Sequence, residues 1–135
     1  MEATLVHTPV QCPNVLALQQ FMRALGISVN RLAVREAVQQ APHFPLVSLR
    51  DLDEILRAWQ FETVVFRVQP TALARLSQTL LAHCTWSDGD KYFVVIRKVE
   101  TGLVHYFSPF QGEVVQSIGA FAHHWSGALL AAEPG

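Results

Sequence analysis

The strongest constraint on this chain is the order of its hydrophobic periodicities. Apolar residues recur at helical spacing through the first part and alternate at strand spacing through the second, with no regular exchange between the two. Residues 14–25 predict a first helix, with Asn14 as its cap, Pro13 just outside, and Gly26 as the stop. Residues 30–40 predict a second, with Leu32, Val34 and Val38 facing inward. Ser48 opens a third, and Ser48 to Asp51 has capping-box spacing with Asp in place of Glu. A strand is expected over 61–68, and a fourth short helix from Pro70 and Thr71 through Leu80. Strands then follow at 83–86, 92–99, 103–107, 113–116 and 128–132, and a short helix runs from Ser117 to near Trp125. Ser87 to Asp90, Thr101-Gly102, Ser108 to Gly112 and Ser126-Gly127 read as turns. Helices followed by a mostly antiparallel sheet define an α+β fold, not a doubly wound one.

The 135 residues suit one domain spanning 1–135, without linker, repeat or low-complexity tract. Only 16% are charged, below the usual share of about 25%. So little surface charge suggests a domain that sits beside something else. A net charge of -1 and the absence of Lys/Arg runs exclude a nucleic-acid footprint. The longest apolar stretch, Ile118 to Ala132, contains His123 and His124 and falls short of the roughly twenty residues a spanning helix needs. Cys12 and Cys84 lack zinc-finger spacing and read as free thiols in a reducing compartment.

Cys12 stands immediately before a helix, where the dipole favours a thiolate. The alternative is a small apolar residue beside a turn. A nucleophile needs a histidine base within reach. His7, His43, His83, His105, His123 and His124 are available, and none stands in a context that marks it as one. Strand alternation sets His105 on the face opposite Tyr106. Neither a metal nor a cofactor is expected. Adjacent His123 and His124 point apart and do not chelate together with Cys84, and no phosphate loop or nucleophile elbow is present. Among the aromatics, Phe44, Phe107 and Phe110 lie beside prolines and are expected to be exposed.

Three segments in order carry a resemblance: Asp-Lys-Tyr-Phe-Val-Val-Ile (90–96), Val-His-Tyr-Phe-Ser-Pro-Phe-Gln-Gly (104–112) and Ala-Phe-Ala-His-His-Trp-Ser-Gly-Ala-Leu-Leu (120–130). With Cys12 before helix 14–25 and Gly26 after it, the chain resembles the bacteriocin-processing cysteine peptidase domain that heads many bacterial peptide exporters. That resemblance implies a papain-like fold, N-terminal helices packed on the sheet, and Cys12 at the nucleophile position. It sets Tyr92 at the family's catalytic His position (Lys91 if the register slips by one) and Ser108 at the orienting Asp position. Pro13 replaces the Gly after the nucleophile, and the family's upstream Gln has no clear equivalent.

Tyrosine, with a side-chain pKa near 10, is a poor general base at neutral pH, and serine holds no charge beside an imidazolium. The resemblance therefore implies a degenerate, peptidase-like domain that binds or docks an extended peptide or unfolded protein. Phe44 and Trp125 are its apolar binding candidates. The implied setting is the cytoplasmic face of a bacterial inner membrane, as part of a larger transporter or a vitamin K epoxide reductase-like oxidoreductase. Two alternatives stay open: an active peptidase with Cys12 as nucleophile and His105 or His83 as base, and thiol exchange through Cys12 and Cys84.

Overall fold

A computed structural model describes residues 13–44, 46–85, 89 and 91–135. Helices α1 (Pro13–Ala24), α2 (Arg31–Gln39) and α3 (Leu49–Ala58) come first. Strand β1 (Phe61–Arg67), a 3₁₀ helix (Pro70–Arg75), β2 (Leu80–Thr85), β3 (Lys91–Glu100), β4 (Leu103–Ser108), β5 (Gly112–Ser117), α4 (Ile118–Ala122) and β6 (Trp125–Pro134) follow. The strands form one antiparallel sheet in the order β1-β6-β2-β3-β4-β5. The α+β expectation holds, with the helical layer built first and the sheet after it.

Both faces of the sheet are covered, each by its own core. Leu18, Phe21, Met22, Val34, Val38, Leu52 and Leu56 from α1–α3 pack on Leu81, Phe93, Val95 and Leu130. On the other face Leu73 of the 3₁₀ helix and Phe121 of α4 pack on Leu80, Ala82, Cys84, Tyr92, Val94, Ile96, Val104, Tyr106, Trp125 and Leu129. Cover on both sides explains why Tyr92 to Ile96 is an unbroken apolar run and is buried throughout.

Local signals act as read in two places. Thr101 and Gly102 both take positive φ, 49° and 75°, the two-residue hairpin turn whose twist matches the strands it joins. Ser48 Oγ accepts from the Asp51 N–H at 3.1 Å, and Asp51 Oδ2 accepts from the Ser48 N–H at 3.1 Å, completing the capping box. His43 Nδ1 adds contacts of 3.1 Å to both Asp51 oxygens, so the carboxylate also ties the proline loop to α3.

Other expectations are corrected. Asn14 does not cap α1. The helix starts at Pro13, and buried Asn14 instead turns its Oδ1 to the N–H of Phe93 at 3.2 Å. The fourth helix ends at Arg75 as a 3₁₀ turn, because Leu80 is recruited into β2 opposite Ile96. β2 accordingly begins three residues earlier than expected, and Trp86 lies outside the described residues. α4 is shorter than expected, and Trp125 belongs to β6, which runs to Pro134 because it pairs with both β1 and β2. Ser126-Gly127 is not a chain reversal. Five residues of β6, Trp125 to Leu129, span only three of β2, Ala82 to Cys84, and Gly127 at φ 95° absorbs the irregularity. Phe107 is half-buried against the helical layer, whereas Phe44 and Phe110 are exposed, 38% and 50%. Among the described residues no helix is long and apolar enough to cross a membrane.

Two measurements test this account. Asn14→Ala leaves the Phe93 N–H buried without an acceptor and is expected to cost about 1–3 kcal/mol in urea unfolding. For Asp51, burial pushes the carboxyl up, but the Ser48 N–H and His43 outweigh it and hold the group below the ordinary carboxylate value. Its stabilisation is therefore complete above about pH 4 and is lost as pH falls through the folded value. Asp51→Asn is expected to lower stability at pH 7 by about 1–3 kcal/mol and to flatten the acid limb of the stability profile.

Candidate functional site

Three chain segments meet at one end of the sheet. By the register that sets Val95 opposite Phe107, Phe93 would face Pro109, but β4 stops at Ser108 and the chain turns away. The first turn of α1 takes the vacated place, through Asn14 Oδ1 on the Phe93 N–H. The start of α1, the start of β3 and the end of β4 are thus adjacent.

Tyr92, the second residue of β3, is 6% exposed and belongs to the core on the α4 face. Its ring meets Phe110 nearly edge-on, with centroids 4.7 Å apart at 68°. Ser108 is fully buried. Its Oγ accepts from the N–H groups of Phe110 at 3.2 Å and Gln111 at 3.3 Å. The hydroxyl thereby shapes the turn that returns as β5 and presents Phe110 to Tyr92. Gly112 closes that turn at φ 76°. The structure thus brings Tyr92 together with the Ser108 turn. Cys12, one residue before α1, lies outside the described residues.

The remaining candidates sit elsewhere. Trp125 pairs with Cys84, which pairs on its other side with Tyr92, so Trp125 lies two strands along on the same face. Its indole N–H donates to the Ala128 carbonyl at 3.0 Å. Phe44 is on the loop between α2 and α3, whose Ala41 and Val47 pack into the helical core, so it belongs to the opposite face from Tyr92. Phe110 is the residue that sequence reasoning noted as exposed but did not place in the site. Its signal was its position in the turn after Ser108-Pro109.

The histidines offered as bases point away from Tyr92. His83 stacks on Phe93 at 5.1 Å on the helical face. Burial holds its pKa below the usual histidine value, helped by the charges of Lys91 and Arg67. His105 lies on the face opposite buried Tyr106, and its Nε2 is buried without a hydrogen-bond partner among the described residues. His43 is engaged with Asp51. Cys84 is fully buried, and burial pushes its thiol far above the range in which a thiolate forms. A thiol exchange that uses Cys84 would therefore need the sheet to open. Among the described residues no group of three His, Cys, Asp or Glu side chains is placed to hold a metal.

The geometry agrees with what the chain is similar to. The model of the family described as "Peptidase C39 family" matches residues 11–135. A double-glycine-motif protease from an AMS/PCAT transporter, solved with its leader peptide, is 16% identical with a TM-score of 0.76, covering 91% of this chain and 84% of that one. The peptidase domain of Streptococcus ComA, a bifunctional ABC transporter in a quorum-sensing pathway, is 14% identical at a TM-score of 0.79, covering 92% of each. The N-terminal peptidase C39-like domain of a toxin secretion ATP-binding protein from Vibrio parahaemolyticus is 11% identical at 0.61, covering 91% of this chain and 97% of that one. No curated protein matches. At these identities the structural likeness speaks for the fold alone, while the family match runs from Gln11 to the last residue. The chain belongs to the peptidase C39 family.

Proposed function

We propose that this is a catalytically degenerate C39 domain that binds or docks an extended peptide instead of cutting it. The observation that carries the reading is the pair of residues at the junction of β3 and β4. Tyr92, which the resemblance sets at the family's His position, leans on Phe110, and Ser108, which it sets at the Asp position, gives its hydroxyl to two turn amides. A phenol does not accept a proton at neutral pH, and a neutral hydroxyl does not stabilise an imidazolium. Without a base, a cysteine is only a few per cent thiolate at pH 7. Phe110, exposed beside Tyr92, offers an aromatic platform for an apolar residue of the ligand.

The setting proposed is the cytoplasmic side of a bacterial membrane, where the domain is part of a transporter or a membrane oxidoreductase and receives a peptide or unfolded protein. Solved relatives that belong to ABC transporters, one of them holding a leader peptide, support that setting.

A synthetic double-glycine leader fused to a short cargo is expected to remain intact on prolonged incubation with the protein and to bind it in fluorescence anisotropy. Phe110→Ala is expected to weaken binding about tenfold, or ~1.4 kcal/mol. Cleavage that disappears in Cys12→Ala would falsify the degenerate reading. Iodoacetamide mapping gives a second check. Cys84 is expected to stay unmodified in the folded protein at pH 8 and to react once urea unfolds it.

A further inference from the structure

A cavity of about 410 Å³ opens at the same end of the sheet, where β1 finishes and β6 begins. It is lined by Arg67, Gln69, Pro70, Trp125, Ser126 and Gly127, among others. Its size is that of a small-ligand site. Arg67 Nη1 donates to the Ser126 carbonyl at 2.9 Å, which holds the guanidinium to the wall, and among the described residues its other N–H groups engage no acceptor. The acid–arginine and acid–lysine pairs among the described residues fall elsewhere: Arg50 with Glu54, Arg57 with Asp53, Arg97 with Glu113 and Lys98 with Glu100.

The other walls offer donors and apolar surface. Ser126 Oγ accepts from the Ala128 N–H at 3.3 Å, so its own hydrogen is available to donate. Gln69 brings an amide. The Trp125 N–H is already taken by Ala128, so this residue presents apolar ring surface. A fixed cation, a hydroxyl and an amide beside an aromatic wall select a planar anion, because a guanidinium matches a carboxylate bidentately.

We infer that this cavity receives a carboxylate of the bound peptide. The inference rests on the peptide-binding reading above and adds the chemistry of one ligand position. Trp125 lies two strands from Tyr92 on the same face, and Phe110 lies just beyond Tyr92. At about 4.8 Å per strand, the span from the cavity to Phe110 is roughly three to five extended residues.

The test uses three acetylated peptides titrated into the ¹⁵N-labelled full chain at about 50 mM salt, where charge pairing is weakly screened. They are Phe-Ala-Ala-Ala-Glu-Ala amide, the same peptide with Gln for Glu, and Phe-Ala-Ala-Ala with a free C-terminal carboxylate. At least one carboxylate peptide is expected to shift the Trp125 indole cross-peak and to bind at least about tenfold more tightly than the Gln peptide. Arg67→Gln is expected to erase that difference with the thermal melt unchanged, and Arg67→Lys to keep most of it. A preference for the Glu peptide assigns the cavity to a side chain, and a preference for the free terminus assigns it to a chain end. Equal binding of all three peptides that still depends on Phe110 overturns the carboxylate inference and leaves the peptide reading standing. Absence of binding by any of them, together with leader binding insensitive to Phe110→Ala, overturns both.

Discussion

The N–H of Phe93 is the donor on which this end of the molecule depends. It belongs to a strand covered on both faces, so it has no water to turn to, and β4 ends before it can supply a carbonyl. Asn14 answers it from the first turn of α1. That single hydrogen bond joins the helical layer to the sheet where the start of α1, the start of β3 and the end of β4 meet. A buried amide left without an acceptor costs more than an average hydrogen bond contributes, which is why a polar residue is kept in an otherwise apolar helix face. The position of the helix start follows from that backbone requirement, whether or not the cysteine before it performs any chemistry.

Around this junction, Ser108 and Tyr92 have structural occupations. Ser108 organises the turn that carries Phe110, and Tyr92 fills the core while supporting Phe110 from beneath. A carboxylate at position 108 would meet the same two amides, and its charge would add an orienting influence on a neighbouring imidazole. The hydroxyl retains the turn and drops the charge. A turn held by a neutral hydroxyl is in line with the binding role proposed above. The second polar feature of this end is the Arg67 guanidinium on β1, held by the Ser126 carbonyl of β6.

Much of the architecture was legible in the sequence. The helix from Ser48, its capping box and the Thr101-Gly102 turn are local devices, each specified by residues within a few positions, and each forms as read. The β-rich second half was legible from alternation, although Tyr92 to Ile96 is continuous rather than alternating because the sheet is covered twice. The misreadings share one cause. Asn14 has the chemistry of a cap, yet the Phe93 N–H, a donor 79 positions further along the chain, claims its Oδ1. Leu80 extends a helical pattern, but pairing with Ile96 draws it into a strand. Trp125 follows a helix by spacing and joins β6 because two neighbouring strands bind that segment. In each case non-local pairing overrode a weak local preference.

The sequence by itself determined the fold class, the order of elements and, through the order of its motifs, the family. These depend on periodicity and turn chemistry, which act over short distances along the chain. Only the tertiary structure decided which side chains share a surface: Tyr92 with Phe110, Asn14 with the Phe93 amide, Arg67 with Trp125, and His83 with Phe93. Those groupings are set by strand register and by where β4 stops. A shift of one residue in register turns every side chain of a strand to the opposite face, so no reading of one segment alone can specify them.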